Sequence, residues 1–231
     1  ISTWQTTGEE EGEEKEHWGL ITAAREQYCQ ARATLEEAKL LDRRGEHGSS
    51  SRRFASATAI LESLSQGEET TEGKRELHTL ALFSQAWGLM KEAEARRRAE
   101  TYEEAALMFE KVAETMTDEK LAAMCQGNVA FCRALRSGTR LRMSRAKALY
   151  RETKEYLEAA VDSYMEAGME RAANWTRATE YMFDGLVYFT QAEGQLEAQA
   201  KRGSYALAES SFQEAKRLYA EAGYSGKEDE A

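Results

Sequence analysis

The chain has 231 residues, 42% hydrophobic and 31% charged, a composition typical of a globular protein and not of a disordered one. It contains no proline, where average usage would give roughly 11, so it is predicted to be almost entirely helical, and sandwiches, barrels and proline-rich linkers are excluded. The formal net charge of −10 disfavours binding of the whole surface to nucleic-acid phosphates.

Nothing in the sequence indicates a membrane segment or an export signal. No stretch approaches the ~18 consecutive apolar residues of a membrane span, and the N-terminus lacks the basic and apolar regions of a signal peptide. The sequence therefore predicts a cytoplasmic protein with no membrane span. It begins with Ile1 and not with methionine, which indicates a processed product or a piece of a longer protein.

The three cysteines are too few, and odd in number, for a disulfide framework. Cys29, Cys125 and Cys132 are therefore expected at small apolar positions of the core. Cys125 and Cys132 are two helical turns apart, a separation of ~10 Å that a disulfide does not span.

The first 16 residues are predicted to form an acidic, frayed lead-in, because the run from Gly8 to Glu16 contains no apolar residue to bury. From Trp18 onward, apolar residues recur at helical spacing and predict a long helix that ends at residues 45–48. A second helix follows, with the serines at 49–51 capping its N-terminus.

Similar apolar stripes predict the remaining helices. One begins near Lys74, a capping box at residues 101–104 opens the next, and residues 117–119 open the one after that. Helix breaks are predicted at residues 137–139 and at Gly203. The whole prediction is a single helical-repeat domain over residues 17–222 with a flexible acidic tail at 223–231, built from hairpins at about 17–66, 72–116, 118–168 and 169–222.

Four segments of the chain resemble one another. Each opens with an aromatic residue and carries alanine in its first turn, and the three clearest copies have a second aromatic residue two turns later. The clear copies are Tyr102 with Phe109, Tyr156 with Tyr164 and Tyr205 with Phe212, and a weaker copy opens at Phe54. The opening residues lie 48, 54 and 49 positions apart, which indicates a helix pair repeated four times. The aromatic side chains of the clear copies are expected to be buried between neighbouring hairpins.

These Tyr-x-x-Ala-x-x-x-Phe segments, continued by Ala113-Glu114 and by residues 219–222, resemble the tetratricopeptide-repeat superfamily and its longer-helix relatives, such as the soluble NSF attachment proteins. The resemblance covers residues 75–222, and the first 70 residues more weakly. It implies an all-α fold, a right-handed superhelical stack of about four helical hairpins whose concave or edge surface binds other proteins. No ligand-binding residue of the family carries over, because the matching positions are packing positions.

The sequence holds no recognisable catalytic or metal-binding motif. Phosphate-binding loops, dinucleotide fingerprints, nucleophile elbows and His-Glu-x-x-His are all absent, and only His17, His47 and His78 offer an imidazole. Glu14 and His17 form one Glu-x-x-His, but a di-iron site needs two such pairs and further carboxylates. We therefore expect no enzymatic activity, no cofactor and no bound metal.

One segment departs from the acidic character of the chain. Residues 133–154 contain eight basic side chains against the single acidic residue Glu152, a net charge of +7. Arginine predominates, and its planar guanidinium group suits carboxylates and phosphates. The candidate partner-binding residues are Arg133, Arg136, Arg140, Arg142, Arg145, Lys147 and Arg151. The alternative is that these residues pair with acidic helices of the chain itself, such as residues 155–170, or with its N-terminal run.

Three classes of function remain open. The repeats and the missing catalytic motifs favour a scaffold or adaptor that binds another protein or an acidic segment through its groove and a basic patch. The basic segment alone would also fit a nucleic-acid or phosphate-binding helical module, and a helical regulatory domain cut from a larger enzyme is a further alternative. A titration with nucleic acid at low and high salt separates the first two classes, because phosphate contacts give a steep salt dependence. The sequence predicts no particular oligomeric state.

Overall fold

The computed structural model describes residues 6–144 and 146–224, and for residues 6–18, 20 and 21 it describes the backbone alone. Within this part of the chain there are eight α-helices and no β-strand, so the predicted all-α class is confirmed there. The helices are α1 (Thr6–Arg43), α2 (His47–Gly67), α3 (Thr71–Arg96), α4 (Ala99–Thr115), α5 (Glu119–Ser144), α6 (Lys147–Glu166), α7 (Glu170–Gly194) and α8 (Ala198–Ala222).

Each helix packs against the next one along the chain, an arrangement consistent with a helical stack. The connections between helices are short, which is why the chain needs no proline. Polar side chains fix some of the helix starts: Thr70 accepts a hydrogen bond from the Gly73 backbone N–H at 3.1 Å, and Asp118 accepts one from the Leu121 N–H at 3.0 Å. The predicted opening of a helix at residues 117–119 is thereby confirmed.

The core consists of alanines at the helix crossings and of aromatic side chains between them. Ala105, Ala106 and Ala160 are fully buried, so the helix backbones approach closely at these points. Three of the repeated aromatic residues are buried as predicted: Tyr102, Phe109 and Tyr164. The other three are only half-buried, and the prediction is wrong for them: Tyr156, Tyr205 and Phe212. Two of these lie on α8, which packs against α7 and has no ninth helix beyond it within the described residues.

Two predicted helix breaks are wrong. Helix α5 continues through residues 137–139, where Gly138 is buried against the ring of Phe183 on α7. Gly203 lies inside α8, and the real break falls at residues 195–197, so α7 ends earlier than predicted. In both cases a glycine that suggested a break is part of a regular helix.

Three further expectations need correction. Thr101 does not cap α4, because the helix already begins at Ala99 and Thr101 lies within its first turn. The serines at 49–51 do not cap α2, which begins at His47, and Ser50 instead donates a hydrogen bond to the Ala38 carbonyl at 2.9 Å. Cys29 is exposed, because it lies on a part of α1 where residues 22–30 are all exposed. The core positions of the other two cysteines are confirmed.

We expect Gly138→Ala to lower the free energy of unfolding by about 1 to 3 kcal/mol, because the added Cβ would overlap the Phe183 ring. The overlap must therefore cost more than the gain of about 1 kcal/mol that alanine gives over glycine in a helix interior. Gly203→Ala is the matched control, since a Cβ there meets no atom within 4 Å and only the gain remains. Urea denaturation of both variants measures the difference, and a Gly138→Ala protein as stable as Gly203→Ala contradicts the close contact.

Candidate functional site

A cluster of charged side chains is buried where α1 ends and α3 passes it. The ammonium group of Lys91, whose side chain is 1% exposed, lies 2.8 Å from a carboxylate oxygen of Asp42 and 3.1 Å from one of Glu94. His47, the first residue of α2, places its Nδ1 3.1 Å from the same oxygen of Asp42. The helix ends of the first hairpin are thereby joined to α3 by ion pairs shielded from water.

The same lysine also joins the N-terminal half of the molecule to the C-terminal half. Its ammonium lies 5.6 Å from the ring centre of Trp87 on α3 and 5.4 Å from that of Trp175 on α7, both within the range of cation–π attraction. Trp175 in turn stacks on Tyr224, just after α8, with ring centres 5.0 Å apart. Residues that are far apart in sequence therefore meet around one buried cation.

The chemistry of this cluster favours a structural role. Burial opposes the charge of Lys91, but the carboxylates of Asp42 and Glu94 outweigh burial and raise the pKa of the ammonium above its ordinary value. A lysine that stays protonated is neither a general base nor a nucleophile. It is instead the positive partner of the two buried carboxylates.

Asp42, His47 and Glu94 also have the donor chemistry of a metal site, with ligand atoms within 4.8 Å of one another. Nε2 of His47 is buried and has no hydrogen-bond partner. The ammonium of Lys91, however, already bridges the two carboxylates at the position where a divalent ion would need them. A metal ion would have to displace a paired buried cation, and for this reason we assign the three residues to the ion cluster and not to a metal centre.

Little in the sequence indicates this cluster. Lys91 is a single charged residue on the apolar stripe of α3 that contains Trp87 and Met90, and a lysine at such a position would be the only local signal. Its partner Asp42 lies 49 residues earlier in the chain, so no short-range spacing connects them. The pairing depends on how the first two hairpins stack.

An open groove of about 1120 Å³ lies beside the ion cluster, with His47 and Glu94 in one of its walls. Its lining comes from the α1–α2 connection, the start of α2, the end of α3, the start of α4, the middle and end of α5 and the middle of α7, and it includes Glu46 and Glu94. Apolar side chains make up much of it, among them Leu135, Met143, Met182, Phe183 and Leu186. Met143 is 83% exposed, so the groove presents apolar surface to solvent.

Three arginines line this groove without an ion pair to a described residue: Arg52, Arg97 and Arg142. The guanidinium of Arg142 lies over the ring of Phe183, 5.8 Å from its centre, and Arg97 closes α3 in the left-handed conformation with φ of 53°. Arg52 donates a hydrogen bond to the Ser49 hydroxyl at 3.2 Å, and no ion pair joins any of the three arginines to a carboxylate of the described residues. All three side chains are exposed, so their charge is available to a molecule that enters the groove.

The structure divides the predicted basic segment into residues that pair internally and residues that do not. Arg133 lies 2.8 Å from Glu110, Arg136 lies 2.7 Å from Glu103, and both of these glutamates are on α4. Lys154 lies 2.9 Å from Glu180 on α7. The idea of internal pairing therefore holds for these three cations, although their partners are on α4 and α7 and not in residues 155–170.

The rest of the segment is exposed. Arg140 is 3.7 Å from Glu100, but both side chains are largely in solvent, where such a pair contributes little. Lys147 and Arg151 are exposed and have no ion pair with a described residue, whereas Arg145 lies outside the described residues. Arg142 alone of the candidate residues lines the groove. Arg52 and Arg97 are the other arginines of the groove, and both lie outside the basic segment that the sequence singles out.

The two buried thiols are expected to be chemically inert. Burial raises the pKa of Cys125 to about 11, and burial also raises the pKa of Cys132 well above that of an exposed thiol. At pH 8 both are protonated, and the thiolate is the reactive form. A thiol-specific reagent should therefore modify Cys29 rapidly and the other two only on unfolding. Rapid modification of more than one thiol in the folded protein would contradict the buried placement.

No protein-family model, curated protein or solved structure matches the chain in comparison. Among the described residues, no helix combines the length and the apolar character that crossing a membrane requires.

Proposed function

We propose that the protein is a non-catalytic, tetratricopeptide-like scaffold that forms a right-handed stack and binds an acidic segment of a partner protein in the groove. The observation that carries the proposal is the set of three exposed arginines, Arg52, Arg97 and Arg142, that line the groove beside an apolar surface. In an acidic chain, exposed cations at a concave surface provide a binding site for negative charge.

The lining of the groove favours a peptide over a small anion. Leu135, Met182 and Leu186 provide apolar surface, and burying apolar side chains of a ligand against it contributes about 25 cal/mol per Å² removed from water. Methionine adapts its shape to different ligands, and both Met143 and Met182 line the groove. A segment that alternates acidic and apolar residues can contact the arginines and the apolar lining at the same time.

The charge distribution also separates this proposal from nucleic-acid binding. Arg133, Arg136 and Lys154 are paired internally, so they are not available to phosphates. The exposed cations that remain are too few to neutralise a long phosphate backbone on a chain with a net charge of −10. A short acidic segment needs only two or three cationic contacts.

The proposal is tested with a fluorescent peptide of alternating glutamate and leucine, whose anisotropy is measured while the protein is titrated in at low and at moderate salt. We expect saturable binding that weakens with salt, and no binding of a matched peptide with lysine in place of glutamate. Single-stranded nucleic acid serves as competitor. If nucleic acid binds more tightly than the acidic peptide, the nucleic-acid alternative replaces the proposal.

A variant pair locates the binding site. Met143→Glu places a negative charge in the groove at a side chain that is 83% exposed, so the fold should be unaffected while acidic peptide binding weakens by roughly tenfold. Leu207→Glu is the matched control, because Leu207 is an exposed apolar residue on α8 that does not line the groove. Equal loss of binding in both variants would place the peptide elsewhere.

A further inference from the structure

We infer that the groove accepts the acidic start of α1 from a second copy of this chain, so that two molecules associate through exchanged N-terminal segments. This inference rests on the proposed function, since it names an occupant for the same groove. It follows from the charge of the segment, from the length of α1 and from the position of the groove just beyond the C-terminal end of α1.

The segment from Gly8 to Glu16 has a charge opposite to that of the groove arginines Arg52, Arg97 and Arg142. It contains six glutamates and one lysine and is the most acidic stretch of the chain. Trp18 and Ile21 follow it and supply apolar side chains of the kind that the groove lining can bind. The segment therefore combines the two properties proposed above for a ligand, within one helix.

The length of α1 prevents the segment from reaching the groove of its own molecule. Helix α1 is continuous from Thr6 to Arg43, and the groove begins at Gly45, just beyond its C-terminal end. Glu16 lies 27 residues before Arg43, which in an α-helix is a distance of about 40 Å. Binding within one molecule would require α1 to break, whereas binding to another molecule requires no change in the helix.

Helix α1 also extends beyond its hairpin partner α2. Helix α1 has 38 residues and its hairpin partner α2 has 21, so α1 extends beyond α2 by about 17 residues, roughly 25 Å. Residues 22–30 are all exposed, Tyr28 among them. The acidic segment therefore lies on the part of α1 that exceeds the length of α2.

Exchange in both directions gives a closed dimer. If the segment of one copy occupies the groove of the other, a two-fold axis allows the reverse contact as well, and both grooves are filled. Because the contacts pair glutamates with exposed arginines, the dimer should weaken as salt is raised. We expect a dimer at low salt and micromolar protein concentration, and a monomer at high salt.

Sedimentation velocity of the full chain over a range of concentration and salt measures the association. Replacing the six glutamates of the segment by glutamine keeps the helix propensity, and we expect it to weaken dimerisation at least tenfold. The matched control replaces exposed glutamates elsewhere on the surface, such as Glu26, Glu62 and Glu158, and should leave dimerisation unchanged. A wild-type chain that stays monomeric at low salt, or a dimer unaffected by the six substitutions, overturns the inference.

Mixing two variants tests whether the contact joins separate molecules. One variant carries Glu9→Lys, Glu10→Lys and Glu11→Lys, and the other carries Arg97→Glu and Arg142→Glu. We expect each to be monomeric alone and the mixture to dimerise, because the intact segment of the second fits the intact groove of the first. If the wild-type chain dimerises but the mixture of the two variants remains monomeric, the inference is also overturned.

The synthetic glutamate and leucine peptide separates failure of this inference from failure of the proposed function. A wild-type chain that binds this peptide but does not dimerise keeps the groove as a binding site and removes the second copy as its occupant. A chain that does neither removes both.

Discussion

Lys91→Met is expected to lower the free energy of unfolding by about 3 to 5 kcal/mol, the largest loss of stability that we predict for one substitution of a charged residue. The variant leaves the carboxylates of Asp42 and Glu94 buried without the ammonium that now lies within 3.1 Å of both. It also removes the cation from between two tryptophan rings. Urea denaturation followed by circular dichroism measures the loss, and the melting temperature should fall by roughly 10 °C.

Two controls show whether the loss comes from uncompensated charge. Lys39→Met removes a lysine that pairs with Glu36 at 2.7 Å in solvent, and it should cost less than about 1 kcal/mol. Adding Asp42→Asn and Glu94→Gln to Lys91→Met neutralises the orphaned carboxylates and should restore part of the stability. If Lys91→Met unfolds like the Lys39→Met control, the buried ion cluster does not hold the hairpins together.

From neutral pH upward, the contribution of Lys91 should change only in the alkaline range. Its pKa is raised in the folded protein, so its contribution is fully present below the ordinary lysine pKa of about 10.4 and is lost as pH rises through the folded value. The difference in unfolding free energy between wild type and Lys91→Met should therefore stay level from pH 7 to about pH 10 and shrink above it.

The helical class of the fold was predictable because its signals are local and repeated. The absence of proline and the recurring apolar stripes extend along the whole chain, so an error at one helix end does not change the predicted helical class. Helix ends were less predictable, as Gly138 and Gly203 show. A glycine can mark a helix break or a close contact with another helix, or it can mark neither. Which of these applies depends on neighbours that are remote in sequence, such as Phe183 beside Gly138.

The candidate site was predictable in part. The excess of arginines in residues 133–154 was visible, but the sequence did not show which of them have partners. Arg133 and Arg136 face glutamates of α4 because α4 and α5 pack side by side, whereas Arg142, near the end of α5, faces the groove. The ion cluster around Lys91 was not predicted at all, since it depends on contacts between the first hairpin, α3 and α7.

Arg97→Glu combined with Arg142→Glu is expected to weaken binding of the acidic peptide about 100-fold while changing the melting temperature by no more than a few degrees. Each substitution replaces an attractive contact with a repulsive one at the groove, and 100-fold corresponds to about 2.8 kcal/mol over the two sites. Neither arginine has a carboxylate partner among the described residues, so little folding energy is lost. Anisotropy titration and thermal unfolding of the same samples provide the two measurements.

Arg133→Gln combined with Arg136→Gln is the matched control, because both residues belong to the same basic segment and both are paired with α4. This variant should lose about 1 to 2 kcal/mol of stability, as expected for two half-buried ion pairs, and should bind the acidic peptide as the wild type does. If the two double variants lose peptide affinity equally, then overall charge and not the groove attracts the peptide. If the groove variant instead melts far below the control, Arg97 and Arg142 stabilise the fold, and the groove is not the binding site.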